Sequence, residues 1–135
     1  MLKLSKKSEY ALMAARYMAI NNHGQSVTAK EIADSYKISY ELVAKVLQNL
    51  VKKEIVISFQ GSRGGYALKK SPSEISLIEL IRSVEPTYGI TECMNETFSK
   101  QECNHFECCK IKDPLIEVQK KIDNIFYETK LSHII

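Results

Sequence analysis

The chain has 135 residues, 44% of them hydrophobic and 26% charged, with only 5 Gly and 3 Pro, which suits one modest globular core and excludes a disordered or fibrous polypeptide. No apolar run approaches the roughly 18 residues that cross a bilayer. The opening MLKLSKKSEYALMAARYMAI, broken by Glu9 and Arg16 and followed by no small-residue cleavage site, does not read as a secretion signal, so a cytoplasmic protein with no membrane partner is expected.

The net charge of +3 is unevenly held. Residues 1–70 carry 12 Lys/Arg against 5 Asp/Glu, and residues 71–135 carry 7 against 11. A basic first half suits a polyanionic partner, and the remainder is left for another task.

Along the chain, residues 8–21 place Ala11, Leu12, Ala15, Met18 and Ala19 at helical spacing. A loop with Gly24 follows. Thr28 with Glu31 forms a capping-box pattern that opens a short helix carrying Ile32 and Ala33. Ser39 stands where it can cap a third helix, YELVAKVLQNLVKK, with Leu42, Val43, Val46, Leu47 and Leu50 inward. Two helices a few residues apart, the second longer and basic, form a helix-turn-helix pattern. The period then changes. Ile55–Gln60 and Tyr66–Lys69 read as a hairpin around Gly61, Gly64 and Gly65, which permit positive φ and close backbone approach at its tip.

Ser76 and Glu79 form a second capping box opening SLIELIRSVE, which Pro86 ends. Asp113 and Pro114 suit the N-cap and first position of a last helix, LIEVQKKIDNIFYETKL. Leu115, Val118, Ile122, Ile125, Phe126 and Leu131 make its apolar stripe, to be covered by the body of the domain or by a second subunit. The expected fold is mainly α with a small β-hairpin wing. It comprises a winged helix-turn-helix domain with a following helix over residues 1–85, a cysteine-containing segment over 86–113 and a long C-terminal helix over 114–135.

In such an arrangement the second helix of the helix-turn-helix reads the major groove with its first residues. Those are Ser39, Tyr40 and Glu41, with Lys45 a turn later. Glu41 can accept from a cytosine amino group, Ser39 can serve base or phosphate or simply cap the helix, and Tyr40 can reach a phosphate or a thymine methyl. Lys45 suits the DNA backbone. Ser62 and Arg63 at the wing tip suit a minor groove. Thr28 at the start of the second helix and Lys7, with Lys3 and Lys6, complete the candidate DNA-facing set.

These stretches resemble the IscR/NsrR-type bacterial transcription regulators. The likeness lies in LSKKSEYAL, VTAKEIADSYKISYELVAKVLQNLVKKEIV, ISFQGSRGGYAL and PSEISLIELIRSVEP. It implies a homodimer held by the long C-terminal helix and a palindromic operator in double-stranded DNA. No small-molecule substrate is expected, and no catalytic set stands out, so the protein is not expected to be an enzyme.

All four cysteines fall between Cys93 and Cys109, and the first 92 residues hold none. Thiolates suit iron–sulfur clusters and zinc. The resemblance implies three cysteine ligands to an iron–sulfur cluster, 2Fe–2S or 4Fe–4S, which purified protein can lack. Cys93, Cys103 and Cys109 are the first choice, with Cys108 as alternate. The family's fourth ligand is a loop histidine or an acid near the N-terminus of the partner subunit, which points to His105 or Glu9. Two alternatives keep DNA binding: a thiol/disulfide switch, or a zinc site using His105. A protein-partner-binding module is the remaining alternative.

Overall fold

The computed structural model describes residues 3–21, 26–62, 64–85, 88–90 and 110–135. Its first helix, α1 (Lys6–Asn21), buries small side chains: Ser8, Ala11, Ala14 and Ala15, with Met18. Leu12 and Ala19, expected on the inward stripe, lie only partly buried beside the core. An alanine face lets neighbouring backbones come close, and α1 packs against both α3 and α4.

α2 (Ala29–Tyr36) starts at the expected capping box. Thr28 Oγ1 accepts from the Glu31 N–H at 3.1 Å, and Glu31 Oε2 accepts from the Thr28 N–H at 3.3 Å. Lys37 ends α2 in the left-handed region (φ 56°), and the Ile38 N–H closes on the Ala33 carbonyl at 3.0 Å. α3 (Tyr40–Lys52) buries Val43, Val46, Leu47 and Leu50. Leu42 departs from expectation, with 43% of its surface exposed. It precedes Val43 by 100° around the helix, and the neighbouring helices cover only the narrower stripe.

Just beyond the α3 cap, Glu54 is left-handed (φ 60°) and turns the chain into β1 (Val56–Phe59). β2 (Gly65–Leu68) returns antiparallel, pairing Val56 with Leu68 and Phe59 with Gly65. A third short segment joins through Val27, which exchanges both backbone hydrogen bonds with Tyr66 at 2.9 and 2.7 Å. Gly65 permits this, since a Cβ there would lie 2.6 Å from the Val27 carbonyl oxygen. Thus the segment leading into α2 is stitched to the wing.

A 3-10 turn (Pro72–Glu74) leads to α4 (Leu77–Val84), opened by the second expected capping box. Leu77, Ile78, Leu80, Ile81 and Val84 are buried. α4 ends at Val84, and Pro86 lies outside the described residues.

α5 (Lys112–Glu128) begins two residues before the expected 114 start. Asp113 and Pro114 lie inside its first turn rather than at N-cap and first position, and Ile111 holds the cap without a side-chain hydrogen bond. Proline is tolerated throughout a first turn, whose N–H groups have no intrahelical partner, so its place there does not mark the start uniquely. No residue of α5 is fully buried. The chain then folds back. The Leu77 N–H donates to the Thr129 carbonyl at 2.9 Å, the Leu131 N–H donates to the Ile75 carbonyl at 2.8 Å, and Leu131 is fully buried. Leu131 therefore belongs to a terminal 3-10 turn (Leu131–Ile134) in the core, not to the stripe of α5.

The α4 cap carries a pH dependence. Burial opposes ionisation of Glu79, but the Ser76 backbone N–H at 2.9 Å, Lys70 at 3.1 Å and the Ser76 hydroxyl outweigh it, so its carboxyl lies below the ordinary range. Its stabilisation is complete above the unfolded value of about 4.3 and is lost as pH falls through the lower folded value. Denaturant titrations across pH are expected to show wild type more stable than Glu79→Gln at neutrality, with the gap closing below about pH 4.

Candidate nucleic-acid interface

The α2–turn–α3 unit holds α3 by its inward stripe and leaves the opposite face open. Ser39, Tyr40, Glu41, Leu42 and Lys45 are all exposed over its first two turns. Tyr40 exposes 58% of its surface, so an aromatic ring and its phenol stand in solvent. Ser39 occupies the N-cap position, but its hydroxyl makes no capping hydrogen bond. Thr28, Ser71 and Ser76 all spend their hydroxyls on caps. The hydroxyl of Ser39 makes no such bond.

Thr28 is half-buried and holds the N-terminus of α2 through its hydroxyl. Lys7 is exposed in the first turn of α1, beside exposed Lys6. Ser62 is exposed at the wing tip, and Arg63 lies outside the described residues. Two features were missed from sequence. Leu42 adds an apolar side chain to the exposed face of α3. Ile57 and Phe59, alternate residues of β1, expose 41% and 49% of their surface along the wing. Their alternation could have signalled a shared face, but not which face the domain covers.

The sensor residues divide differently. Glu9 lies in the first turn of α1, paired with Lys6 at 3.2 Å in a largely exposed ion pair of the weak kind. Cys93, Cys103, Cys108, Cys109 and His105 lie outside the described residues. Among the described residues no group of three or more His, Cys, Asp or Glu converges.

A helix-turn-helix with an open reading face, flanked by a two-stranded antiparallel hairpin, is the architecture of winged-helix DNA-binding proteins. Comparison with known proteins narrows this. The profile of the Rrf2 family, described as iron-dependent transcriptional regulators, matches residues 4–135, and the chain belongs to that family. The transcriptional regulator NsrR of Bacillus licheniformis is 34% identical over 114 residues, covering 84% of this chain and 78% of that protein. NsrR of Bacillus subtilis is 29% identical over 116 residues, covering 86% and 78%. Among solved structures, T. potens IscR matches with a TM-score of 0.73 at 25% identity, over 98% of this chain and 85% of that one. The B. subtilis global cysteine regulator CymR shares the fold, with a TM-score of 0.74 at 22% identity over 99% and 96%. The chain is thus a transcriptional regulator, a non-enzymatic class, as its residues led one to expect. No helix among the described residues is long and apolar enough to cross a membrane.

The contrast between Ser39, which makes no capping hydrogen bond, and Thr28, which does, is measurable. Ser39→Ala is expected to change unfolding free energy by less than about 0.5 kcal/mol, whereas Thr28→Ala costs about 1 kcal/mol through its lost cap. Equal losses in urea melts would show that Ser39 caps α3 after all.

Proposed function

We propose that the protein is a homodimeric repressor acting in the cytoplasm. It binds a palindromic operator in double-stranded DNA, with affinity set by an iron–sulfur cluster held within residues 86–113. The observation that carries this reading is the confinement of all four thiols, with His105, to residues 93–109 of a chain in an iron-dependent family. The donor chemistry fits such a cluster. Cys93, Cys103 and Cys109 are the proposed ligands, with Cys108 as alternate. Glu9 of the opposite protomer or His105 completes the set. The Glu9 carboxylate is suited to this because its exposed pair with Lys6 is cheap to release. When bound, the cluster supplies a link among the thiolates that oxidants, nitric oxide or iron shortage can break. The chain does the rest by ordering or releasing the segment between α4 and α5.

On DNA, α3 lies in the major groove with Glu41 toward a cytosine amino group and Ser39 toward base or phosphate. Tyr40 and Leu42 face phosphate or thymine methyls. Lys45, Lys7 and the N-terminus of α2 at Thr28 meet the backbone. Ser62 and Arg63 reach the minor groove.

The dimer follows from α5 and the residue before it. Ile111, Val118 and Ile125 recur every seven residues and expose 62%, 42% and 62% of their surface. Leu115 lies beside them, and together they form an apolar face that a second copy of α5 would cover, while Ile122 turns toward α1 and α4. A two-fold axis there matches a palindromic operator.

Four thiols exceed the three ligands, and the adjacent pair Cys108–Cys109 favours a second reading, a thiol/disulfide switch on the same regulator. Protein purified without oxygen is expected to be brown, with iron and sulfide bound, and Cys103→Ala to be colourless. Operator affinity should differ between loaded and stripped protein by about fivefold or more. Colourless, iron-free wild type would hand the role to the thiol switch or to zinc. Separately, Ile125→Glu is expected to convert the dimer to monomer in sedimentation with helical content unchanged; a surviving dimer would exclude this face.

A further inference from the structure

Residues 88–90 lead directly toward Cys93, three residues beyond Ile90. They are half-buried and reach α4 and α5 through a set of polar contacts. Beneath them opens a cleft of about 580 Å³, bounded by Ser8 of α1, Ile81 of α4, Ile122 and Phe126 of α5, and Tyr88 and Ile90 themselves.

What fixes the segment is Asp123. The Tyr88 hydroxyl donates to Asp123 Oδ1 at 2.5 Å, and Gln119 Nε2 donates to the same oxygen at 2.8 Å. Gln119 Oε1 in turn accepts the Ile90 N–H at 2.7 Å. Arg82 of α4 reaches Asp123 Oδ2 at 3.4 Å, with its guanidinium 5.4 Å from the centre of the Tyr88 ring. One carboxylate of α5 therefore gathers donors from α4, from α5 and from the segment leading to the first cysteine. Burial and the adjacent carboxylate hold the Tyr88 phenol well above its ordinary range, so it stays a neutral donor. The exposed Arg82 pair alone would hold little. The hydrogen bonds of Tyr88 and Gln119 carry the attachment.

We propose that Asp123, with Tyr88 and Gln119, forms a clasp that couples the cysteine-bearing segment to α5 and, through Arg82, to the reading domain. It positions; it does not ligate. Movement of the segment pulls on α5 and α4 together, because the same carboxylate holds all three. The inference rests on the proposed control of DNA affinity by that segment.

The test compares operator-duplex Kd for anaerobically loaded and chelator-stripped full-length protein, in wild type, Asp123→Ala and Tyr88→Phe. Iron per chain and melting temperature are recorded for each. Wild type is expected to show a ratio of about tenfold between states, within the usual range of allosteric coupling. Asp123→Ala is expected to bring that ratio to within about twofold of one while iron content stays at the wild-type level, and Tyr88→Phe to lie between. A merely structural residue would lower melting temperature or iron content without erasing the response at constant iron. Should Asp123→Ala fail to fold, Tyr88→Phe decides alone. Variants that keep the wild-type ratio overturn the clasp and leave the proposed function standing. Variants that lose iron with the response make these residues supports of the segment, which also overturns it. A wild-type ratio of one overturns the proposed function and the clasp with it.

Discussion

The close approach that Ala11, Ala14 and Ala15 allow is the constraint on which the rest of the molecule depends. These side chains are at most 1% exposed. Against them α1 meets α3 and α4, and from the same helix Arg16 donates to the Ile134 carbonyl at 3.0 Å. Any larger side chain on that face would force the helices apart, because a close-packed interior has no slack to absorb it. With α1 seated, the inward stripe of α3 has one place to go, and its outward residues are aimed as a consequence. The exposed face of α3 is thus positioned by residues that never reach it. Lys7 and Glu9, in the first turn of α1, are held in fixed relation to α3 by the same contact.

What was legible in the sequence was local. The boxes Thr28–Glu31 and Ser76–Glu79 span three residues each, so their chemistry is written in adjacent letters, and both formed as read. The hairpin announced itself through its glycines and change of period; β1 is one residue shorter at each end than the pattern implied, and β2 keeps its length but starts one residue earlier. Gly64 illustrates the limit. It does not take positive φ; rather, a Cβ there would sit 2.9 Å from the Phe59 and Gly61 carbonyl oxygens. Lys37 and Glu54 take left-handed conformations with no glycine to signal them, because the helix–helix and helix–strand turns are imposed by packing on either side.

What was not legible was set at long range. Leu131 continues the apolar spacing of α5, yet its own backbone bond to Ile75 and that of Thr129 to Leu77, more than fifty residues away, carry it into the core. Leu42 looked inward because a helical pattern cannot show how wide a stripe its neighbours will cover. Arg82, Tyr88, Gln119 and Asp123 read as ordinary polar residues. Their meeting depends on where α5 lies against α4, which no local period encodes. Of the candidate site, the exposed residues of α3 were anticipated, while the cysteines were legible as chemistry only, since thiolates suit few partners besides metals and one another.

The two ends of the molecule are held by different physics. α1, α3 and α4 share an interior of fully buried apolar residues, including Met18, Leu47, Leu50 and Leu80, and deform only at the cost of opening cavities. α5 contributes no buried residue of its own. It is held by the Asp123 hydrogen bonds, by the partly buried Ile122 and Phe126, and by the tail that follows it. Hydrogen bonds at a partly solvated site exchange against water at a net value of about 1 kcal/mol each, so a shift of α5 costs far less than a shift of α3. The build keeps α3 stiff and leaves the softer attachment at α5 and the residues 88–90 that rest on it. In the proposed dimer, a small rotation of α5 would change the spacing between the two copies of α3 while neither is itself deformed.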